Sequence, residues 1–143
     1  MKRYIQVLLV SAFLTGPVFS ASILLEAERF DRGGWVVDPQ FIEQMGSPYL
    51  LAHGLGQPVS NAKLCTEIPE PGLYHVWART MNWIPGEWQA PGRFRVLING
   101  HALPTDLGTR SGWGWQYAGS RNIFGKQVLT ELQDLTGFEG RCD

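Results

Sequence analysis

Large aromatic side chains are the residues of this sequence whose positions best suit binding chemistry. Trp113, Trp115 and Tyr117 alternate, so in an extended segment their side chains point to one side. Two more indoles, Trp83 and Trp88, lie in a single long loop. Aromatic rings stack on sugar rings because axial C–H groups meet the negative π-face. These residues are therefore candidate ligand contacts, and the alternative is that they pack over a small core or against a neighbouring domain.

The polar residues form no recognised catalytic or metal-binding motif. The three histidines are far apart and have no HxH or HExxH spacing: His53, His75 and His101. The chain has no GxSxG or Walker A sequence, and residues 54–56 lack the third glycine of a dinucleotide-binding fingerprint. Glu26 and Glu28 could form a carboxylate pair on one face of a strand, but no second acidic cluster accompanies them. Catalysis by this chain alone is therefore not expected.

Composition favours one small domain rich in turns. The chain has 143 residues, of which 44% are hydrophobic and 17% are charged, so it can bury a core. Its 17 glycines and nine prolines show no triplet period, which favours short strands joined by turns. A net charge of -1 and a pI of about 6.3 argue against nucleic-acid binding, which usually requires a basic surface.

The N-terminus has the pattern of a secretory signal peptide. A basic start precedes an apolar run over residues 4–14, and Val18 and Ser20 supply the small residues that cleavage requires. The run is short for a bilayer span, and an uncleaved membrane anchor is the alternative. We expect residues 1–20 to be removed and residues 21–143 to be secreted or periplasmic, without membrane contact.

Export would place both cysteines in an oxidising compartment, where Cys65 and Cys142 could form a disulfide. Their spacing fits neither a zinc site nor a CxxC motif. Period-two counting places Cys65 on the same side as Lys63 and Glu67, away from the core. A disulfide and two unpaired thiols both stay open.

Alternation of apolar and polar residues predicts at least five strands, over residues 23–28, 61–68, 74–80, 93–98 and 128–133. In the third of these, His75, Trp77 and Arg79 share the face opposite Tyr74 and Val76.

Between the predicted strands, the sequence indicates turns and one short helix. The Asn-Gly pair at 99–100 indicates a type I′ hairpin. One short helix is predicted over residues 39–45 with Asp38 as its cap. The stretches 31–60 and 82–92 are long and irregular. Short strands without a long helix predict an all-β sandwich or jelly roll.

Several motifs, in this order, resemble a known family. They are EAERF (26–30), GGW (33–35), GSPYL (46–50), GLYHVW (72–77), Trp83, PGRF (91–94), WGW (113–115) and DLTGFEGRCD (134–143). The EAE start alone is similar to carbohydrate-binding modules of families 6 and 35, which are galactose-binding-like jelly rolls. The whole series looks like the N-terminal accessory region of secreted bacterial FAD-dependent oxidoreductases, including xanthan-lyase-like ones.

The resemblance implies a non-catalytic accessory domain that docks on a flavin domain or binds glycan. FAD would belong to the full-length protein, since no flavin-binding fingerprint is present here. A free-standing carbohydrate-binding module and the accessory domain of a polysaccharide lyase are the alternatives. The similar sugar-binding modules also imply a structural calcium ion, with Glu26, Glu28 and Asp143 at the matching places.

The resembling families begin their closing strand where this chain ends, at Asp143. We therefore expect a sandwich that lacks its last strand, in a fragment of a longer protein.

Overall fold

Strands provide most of the regular structure in the computed structural model, which describes residues 21–52, 57–82 and 92–135. The helical segments there are a 3-10 helix (Ala27–Arg29) and α1 (Ile42–Met45). The strands are β1 (Trp35–Asp38), β2 (Tyr49–Ala52), β3 (Ala62–Glu67), β4 (Gly72–Thr80), β5 (Phe94–Ile98), β6 (His101–Ala102), β7 (Gly114–Ile123) and β8 (Gln127–Asp134).

Two antiparallel sheets face each other across the main core. One has the strand order β3-β8-β5-β6, and the other pairs β4 with β7. Alternate side chains of both sheets meet between them, because successive residues of a strand point to opposite faces. The buried residues of this core are Ile68, Val96, Ile98, Leu103, Leu107, Ala118, Ile123 and Val128. The prediction of an all-β sandwich is confirmed.

A second, smaller core lies under the β1–β2 hairpin. Phe30, Trp35 and Ala62 are buried there, and Trp35 meets Phe94 of β5 edge to face, with ring centroids 5.9 Å apart. Gly33 permits the entry to this hairpin, because its φ is +55° and a Cβ would lie 2.2 Å from the carbonyl oxygen of Asn61. The hairpin is thereby held against the edge of β3.

Four of the five predicted strands are confirmed, and they correspond to β3, β4, β5 and β8. The Asn-Gly turn is confirmed as well: Asn99 and Gly100 have φ of 50° and 77°. The Asn99 backbone N–H donates to the Leu129 carbonyl, and its side-chain oxygen accepts from the Leu129 N–H, both at 2.8 Å. These two bonds tie the β5–β6 turn to β8.

The predicted strand over residues 23–28 is wrong. The chain turns there into the 3-10 helix, in which the Arg29 and Phe30 N–H groups donate to the carbonyls of Glu26 and Ala27. This turn carries Phe30 into the second core, so burial of one aromatic ring prevails over a short alternating pattern.

The interval 31–60 was predicted as irregular, but it contains β1, α1 and β2. The helix starts three residues later than the predicted 39–45, with Phe41 at its N-cap. Asp38 instead accepts a hydrogen bond from the Gln40 N–H at 2.8 Å, which shapes the turn before α1.

Several predictions fall outside the described residues. They concern the signal peptide (1–20), most of the irregular stretch 82–92, Cys142 and the chain end at Asp143. Cys65 is exposed on β3, on the same side as Lys63 and Glu67, as predicted. Within the described parts of the chain, no helix has the length and apolar character needed to cross a bilayer.

Candidate functional site

The outer face of the β4–β7 sheet carries three exposed aromatic rings. The sequence predicts opposite faces for Val76 and Trp77, and in β4 Val76 and Ala78 turn towards the core while Trp77 turns towards solvent. On β7 the same alternation turns Trp115 and Tyr117 outwards. Trp77 is 56% exposed, Trp115 is 55% exposed and Tyr117 is 40% exposed. We call these three residues the aromatic face.

Strand register brings the aromatic face together. Trp77 lies directly opposite Tyr117, and their ring centroids are 4.9 Å apart. Trp115 is the next outward residue of β7 and lies opposite Arg79. Residues that oppose each other across an antiparallel pair have neighbouring side chains, so the rings of Trp77 and Tyr117 are adjacent. Trp115 lies on the same face, two residues from Tyr117 along β7.

A β-bulge sets the polar border of the aromatic face. Val76 pairs with Gly119 and Trp77 pairs with Tyr117, which leaves Ala118 as an extra residue on β7. Gly119 has a φ of +142°, and a Cβ there would lie 2.7 Å from Cδ of Pro104. Beyond the bulge the alternation is shifted by one residue, so Ser120 faces outwards opposite His75.

Ser120, His75 and Tyr117 form a hydrogen-bonded group that we call the polar triangle. The Ser120 hydroxyl lies 2.7 Å from Nδ1 of His75 and also bonds to the Tyr117 hydroxyl. The Tyr117 hydroxyl and His75 Nδ1 are 3.3 Å apart. The triangle holds the outer edge of the Tyr117 ring, and all three side chains remain accessible to solvent.

The opposite end of the aromatic face is bounded by α1. The guanidinium of Arg79 donates from Nη1 to the carbonyl of Met45 at 3.2 Å and from Nη2 to the carbonyl of Gln44 at 3.0 Å. These carbonyls belong to the last residues of α1, where helical acceptors have no partner within the helix and a cation is favourable. Arg79 therefore fastens α1 beside Trp115.

Trp113 belongs to a different cluster from Trp115. Its ring packs against Tyr49 of β2 and against Phe41, with centroid distances of 5.0 and 6.1 Å. Burial raises the pKa of Tyr49 to about 12, and a hydrogen bond to Asp38 and the negative charge of that carboxylate add to the effect. The segment around α1 and β2 thus covers Trp113, which is only partly accessible.

The structure brings together two of the five aromatic residues predicted as ligand contacts, Trp115 and Tyr117. Trp113 is separated from them by its cover, and Trp83 and Trp88 lie outside the described residues. Sequence analysis placed Trp77 and His75 on one face of a strand but did not assign them to a site. The signal that was missing is the pairing of β4 with β7, which depends on residues about forty positions apart.

The two glutamates predicted as calcium ligands do not share a strand face. Glu26 is extended and precedes the 3-10 helix, whereas Glu28 lies within it, and both are exposed. No group of three or more potential metal ligands occurs in the parts of the chain that the structure describes. Ca²⁺ usually takes six to eight oxygen ligands, so two exposed glutamates do not suffice. The calcium prediction depends on Asp143, which is outside the described residues, and stays a prediction.

The outer face of the four-stranded sheet has a different chemistry. Lys63 of β3 forms an ion pair with Glu131 of β8 at 3.3 Å, and Asn61 donates to the same carboxylate at 3.4 Å. Arg95 of β5 forms a hydrogen-bonded ion pair with Asp106. We call this surface the charged face.

Comparison with known proteins supports the fold. No protein-family model matches the chain, and no curated protein matches it significantly. Among solved structures, it is similar to a Podospora anserina GH26-CBM35 β-(1,4)-mannanase, with a TM-score of 0.61 and 17% identity. The match covers 79% of this chain and 24% of that enzyme, so the chain spans about a quarter of its length.

The likeness shows the fold, an all-β jelly roll of the kind found in carbohydrate-binding modules. None of these comparisons supports an origin from a flavin-dependent oxidoreductase or a xanthan lyase.

Proposed function

We propose that this protein is a non-catalytic, glycan-binding accessory module whose ligand stacks on the aromatic face. The observation that carries the proposal is that Trp77, Trp115 and Tyr117 are all exposed on the same outer face of the β4–β7 sheet. The inner face of this sheet already packs on the main core. Exposed aromatic rings do not stabilise a sandwich as buried ones do, whereas flat π-faces bind the C–H groups of sugar rings.

The shape of the site supports a polymer as ligand. The three rings lie on the outer face of one sheet, and neighbouring rings on one face can contact successive sugar units of a chain. The fold supports the same proposal, because its solved structural neighbour is by name a mannanase with a CBM35 part. A β-mannan is therefore the first polysaccharide to test.

The polar groups beside the aromatic face suit binding better than hydrolysis. Glycosidases generally use a pair of carboxylates across the scissile bond. Neither β4 nor β7 contains an aspartate or glutamate, and their outward polar side chains include His75, Arg79 and Ser120. These can form hydrogen bonds with sugar hydroxyls while the rings stack.

Affinity electrophoresis against β-mannan, xanthan, glucuronoxylan and cellulose derivatives tests the proposal. At least one polymer is expected to retard the protein. Trp77→Ala is expected to weaken that affinity about two- to tenfold, the range for one aromatic contact. Phe124→Ala is the matched control, because Phe124 is 88% exposed but lies beyond the end of β7. Unchanged retardation of the Trp77 variant, or no retardation by any polymer, would contradict glycan binding at this face.

Two finer parts of the proposal come from sequence motifs alone. One is secretion, through removal of residues 1–20. The other is a flavin-dependent oxidoreductase as the parent protein, with its flavin domain as an intramolecular partner. In that alternative, Trp77→Ala would weaken association with the flavin domain while no polysaccharide retards the protein. N-terminal sequencing of the exported protein and the coding sequence that follows residue 143 decide these two points.

A further inference from the structure

The polar triangle has a property that follows from counting its hydrogens. His75 Nδ1, the Ser120 hydroxyl and the Tyr117 hydroxyl bond to one another. The remaining ring nitrogen of His75, Nε2, has no partner among the described residues, and the side chain is exposed. The triangle therefore meets a ligand through two atoms, Nε2 of His75 and the Tyr117 oxygen.

A neutral imidazole carries one hydrogen, on either nitrogen. If Nε2 carries it, Ser120 donates to Nδ1 and Tyr117 donates to Ser120, which leaves the Tyr117 oxygen as an acceptor. If Nδ1 carries it, the chain reverses, so that the Tyr117 hydroxyl donates outwards and Nε2 accepts. Both arrangements present one donor and one acceptor to a ligand.

A protonated imidazole carries hydrogens on both nitrogens. Nδ1 then donates to Ser120, Ser120 donates to Tyr117, and the Tyr117 hydroxyl donates outwards. Nε2–H donates outwards too, so the triangle presents two donors and a positive charge. One donor with one acceptor matches a hydroxyl group, whereas two donors match a carboxylate, which only accepts.

We infer that the polar triangle is a ligand subsite at the edge of the aromatic face, selective for sugar hydroxyls when His75 is neutral and for sugar carboxylates when it is protonated. The inference rests on the proposed glycan binding. It adds a class of ligand, the acidic polysaccharides, and a condition under which they are bound.

The charged and titratable groups nearest to His75 in the described residues lie on β4, β7 and α1. On the same outward face β4 carries Arg79 and β7 carries Tyr117. Helix α1, which contacts this face through Arg79, carries Glu43. None of the ion pairs in the described residues includes His75. A carboxylate supplied by a ligand would thus be the first partner for a protonated imidazole here.

The test measures affinity for two polymers, a β-mannan with hydroxyls only and polygalacturonate with a carboxylate on each ring, at about pH 8 and about pH 5, which bracket imidazole titration. For the unaltered protein, the affinity for polygalacturonate relative to β-mannan is expected to rise about two- to tenfold at the lower pH, the range for one hydrogen bond. His75→Gln keeps one donor and one acceptor and cannot titrate, so it is expected to abolish this rise.

Two further variants separate the triangle from general charge effects. Ser120→Ala removes the link between Nδ1 and Tyr117 and is expected to reduce the rise. His101→Ala, at an exposed histidine on β6, is expected to retain it. Tyr117→Phe removes the outward hydroxyl itself and is also expected to reduce the rise. A thermal melt of each variant shows whether it is folded.

The outcomes distinguish this inference from the proposed function. If Trp77→Ala weakens β-mannan binding but the ratio of the two affinities is independent of pH, the subsite inference alone is overturned. A rise that persists in His75→Gln also overturns it. If neither polymer retards the unaltered protein at either pH, the subsite inference fails. The proposed function fails with it only if xanthan, glucuronoxylan and cellulose derivatives do not retard the protein either.

Discussion

The two outer faces of this sandwich differ in chemistry although both belong to sheets that pack on one core. On the charged face, Lys63 and Glu131 form an ion pair across neighbouring strands. On the opposite sheet, Trp77 and Tyr117 occupy the equivalent cross-strand relation with their rings exposed. Antiparallel sheets usually place apolar residues on the core side and polar residues on the solvent side. The charged face follows that rule and the aromatic face departs from it.

This difference distinguishes residues that folding requires from residues that the proposed ligand would require. The ion pair of Lys63 with Glu131 gives the nearly buried carboxylate of β8 a cationic partner from the neighbouring strand β3. Folding sets no comparable requirement for two half-exposed indoles, whereas the proposed ligand would use them. Substitutions on the charged face are accordingly expected to act on stability, and those on the aromatic face on binding.

The largest expected effect concerns the bulge that shapes the aromatic face. Gly119→Ala is expected to lower the free energy of unfolding by about 1–3 kcal/mol, because the residue has a positive φ and its Cβ would meet Pro104. The urea midpoint measures this change. Gly114→Ala, on the same strand with no heavy atom near the added Cβ, is expected to change stability by less than about 0.5 kcal/mol. Equal midpoints for both variants would show that the bulge adapts to a side chain.

The second prediction concerns Tyr49 of β2, whose ring packs against Trp113. Its pKa is raised from 10.0 in the unfolded chain to about 12 in the native state, so the unfolded chain loses this proton at a lower pH. This contribution is fully present below pH 10 and is lost as the pH rises through about 12. The resulting loss of stability is expected to stay below about 2.7 kcal/mol, which corresponds to two pKa units at 1.36 kcal/mol each.

Unfolding curves of the unaltered protein and of Tyr49→Phe over this pH interval provide the measurement. The phenylalanine variant has no hydroxyl to ionise, so its stability is expected to fall less steeply. Parallel curves would mean that Tyr49 ionises as readily in the native state as in the unfolded chain.

The smallest expected effect tests the charged face. Lys63→Met removes the cation beside Glu131, whose side chain is only 10% exposed, and is expected to cost about 1 kcal/mol. Lys63 is itself 55% exposed, so solvent screening limits the effect. Lys126→Met, at an exposed lysine without an ion pair in the described residues, is the control. Polysaccharide affinity is expected to be unchanged, and a loss of affinity would show that both outer faces bind ligand.

Local sequence patterns were sufficient to predict much of the sandwich. β4 alternates over most of its nine residues, and the prediction that Trp77 and Val76 lie on opposite faces is confirmed. The Asn-Gly turn was predicted correctly too, because few residue pairs favour positive φ at two consecutive positions. β1 and β2 were missed, since each has only four residues and their pairing is not visible in the sequence.

The candidate site required information that local patterns do not contain. Trp113 and Trp115 are two positions apart, so alternation predicts the same face for both. Phe41 and Tyr49 nevertheless cover only Trp113. β7 was not among the predicted strands, so Ser120 was not predicted as part of a site. Strict alternation from Tyr117, without a bulge, would also turn Ser120 inwards. The EAE motif suggested a strand with paired carboxylates, whereas packing of Phe30 produced a helical turn.

The extra residue in β7 also determines which changes in length this strand can accept. Deleting the codon for Ala118 would produce an ordinary strand in which Tyr117 and Ser120 still face outwards, since strict alternation would then place Gly119 between them. A single-codon deletion elsewhere in β7 would turn every side chain beyond it to the opposite face. The bulge is therefore the position in β7 where a gene could lose one codon while the aromatic face keeps its orientation.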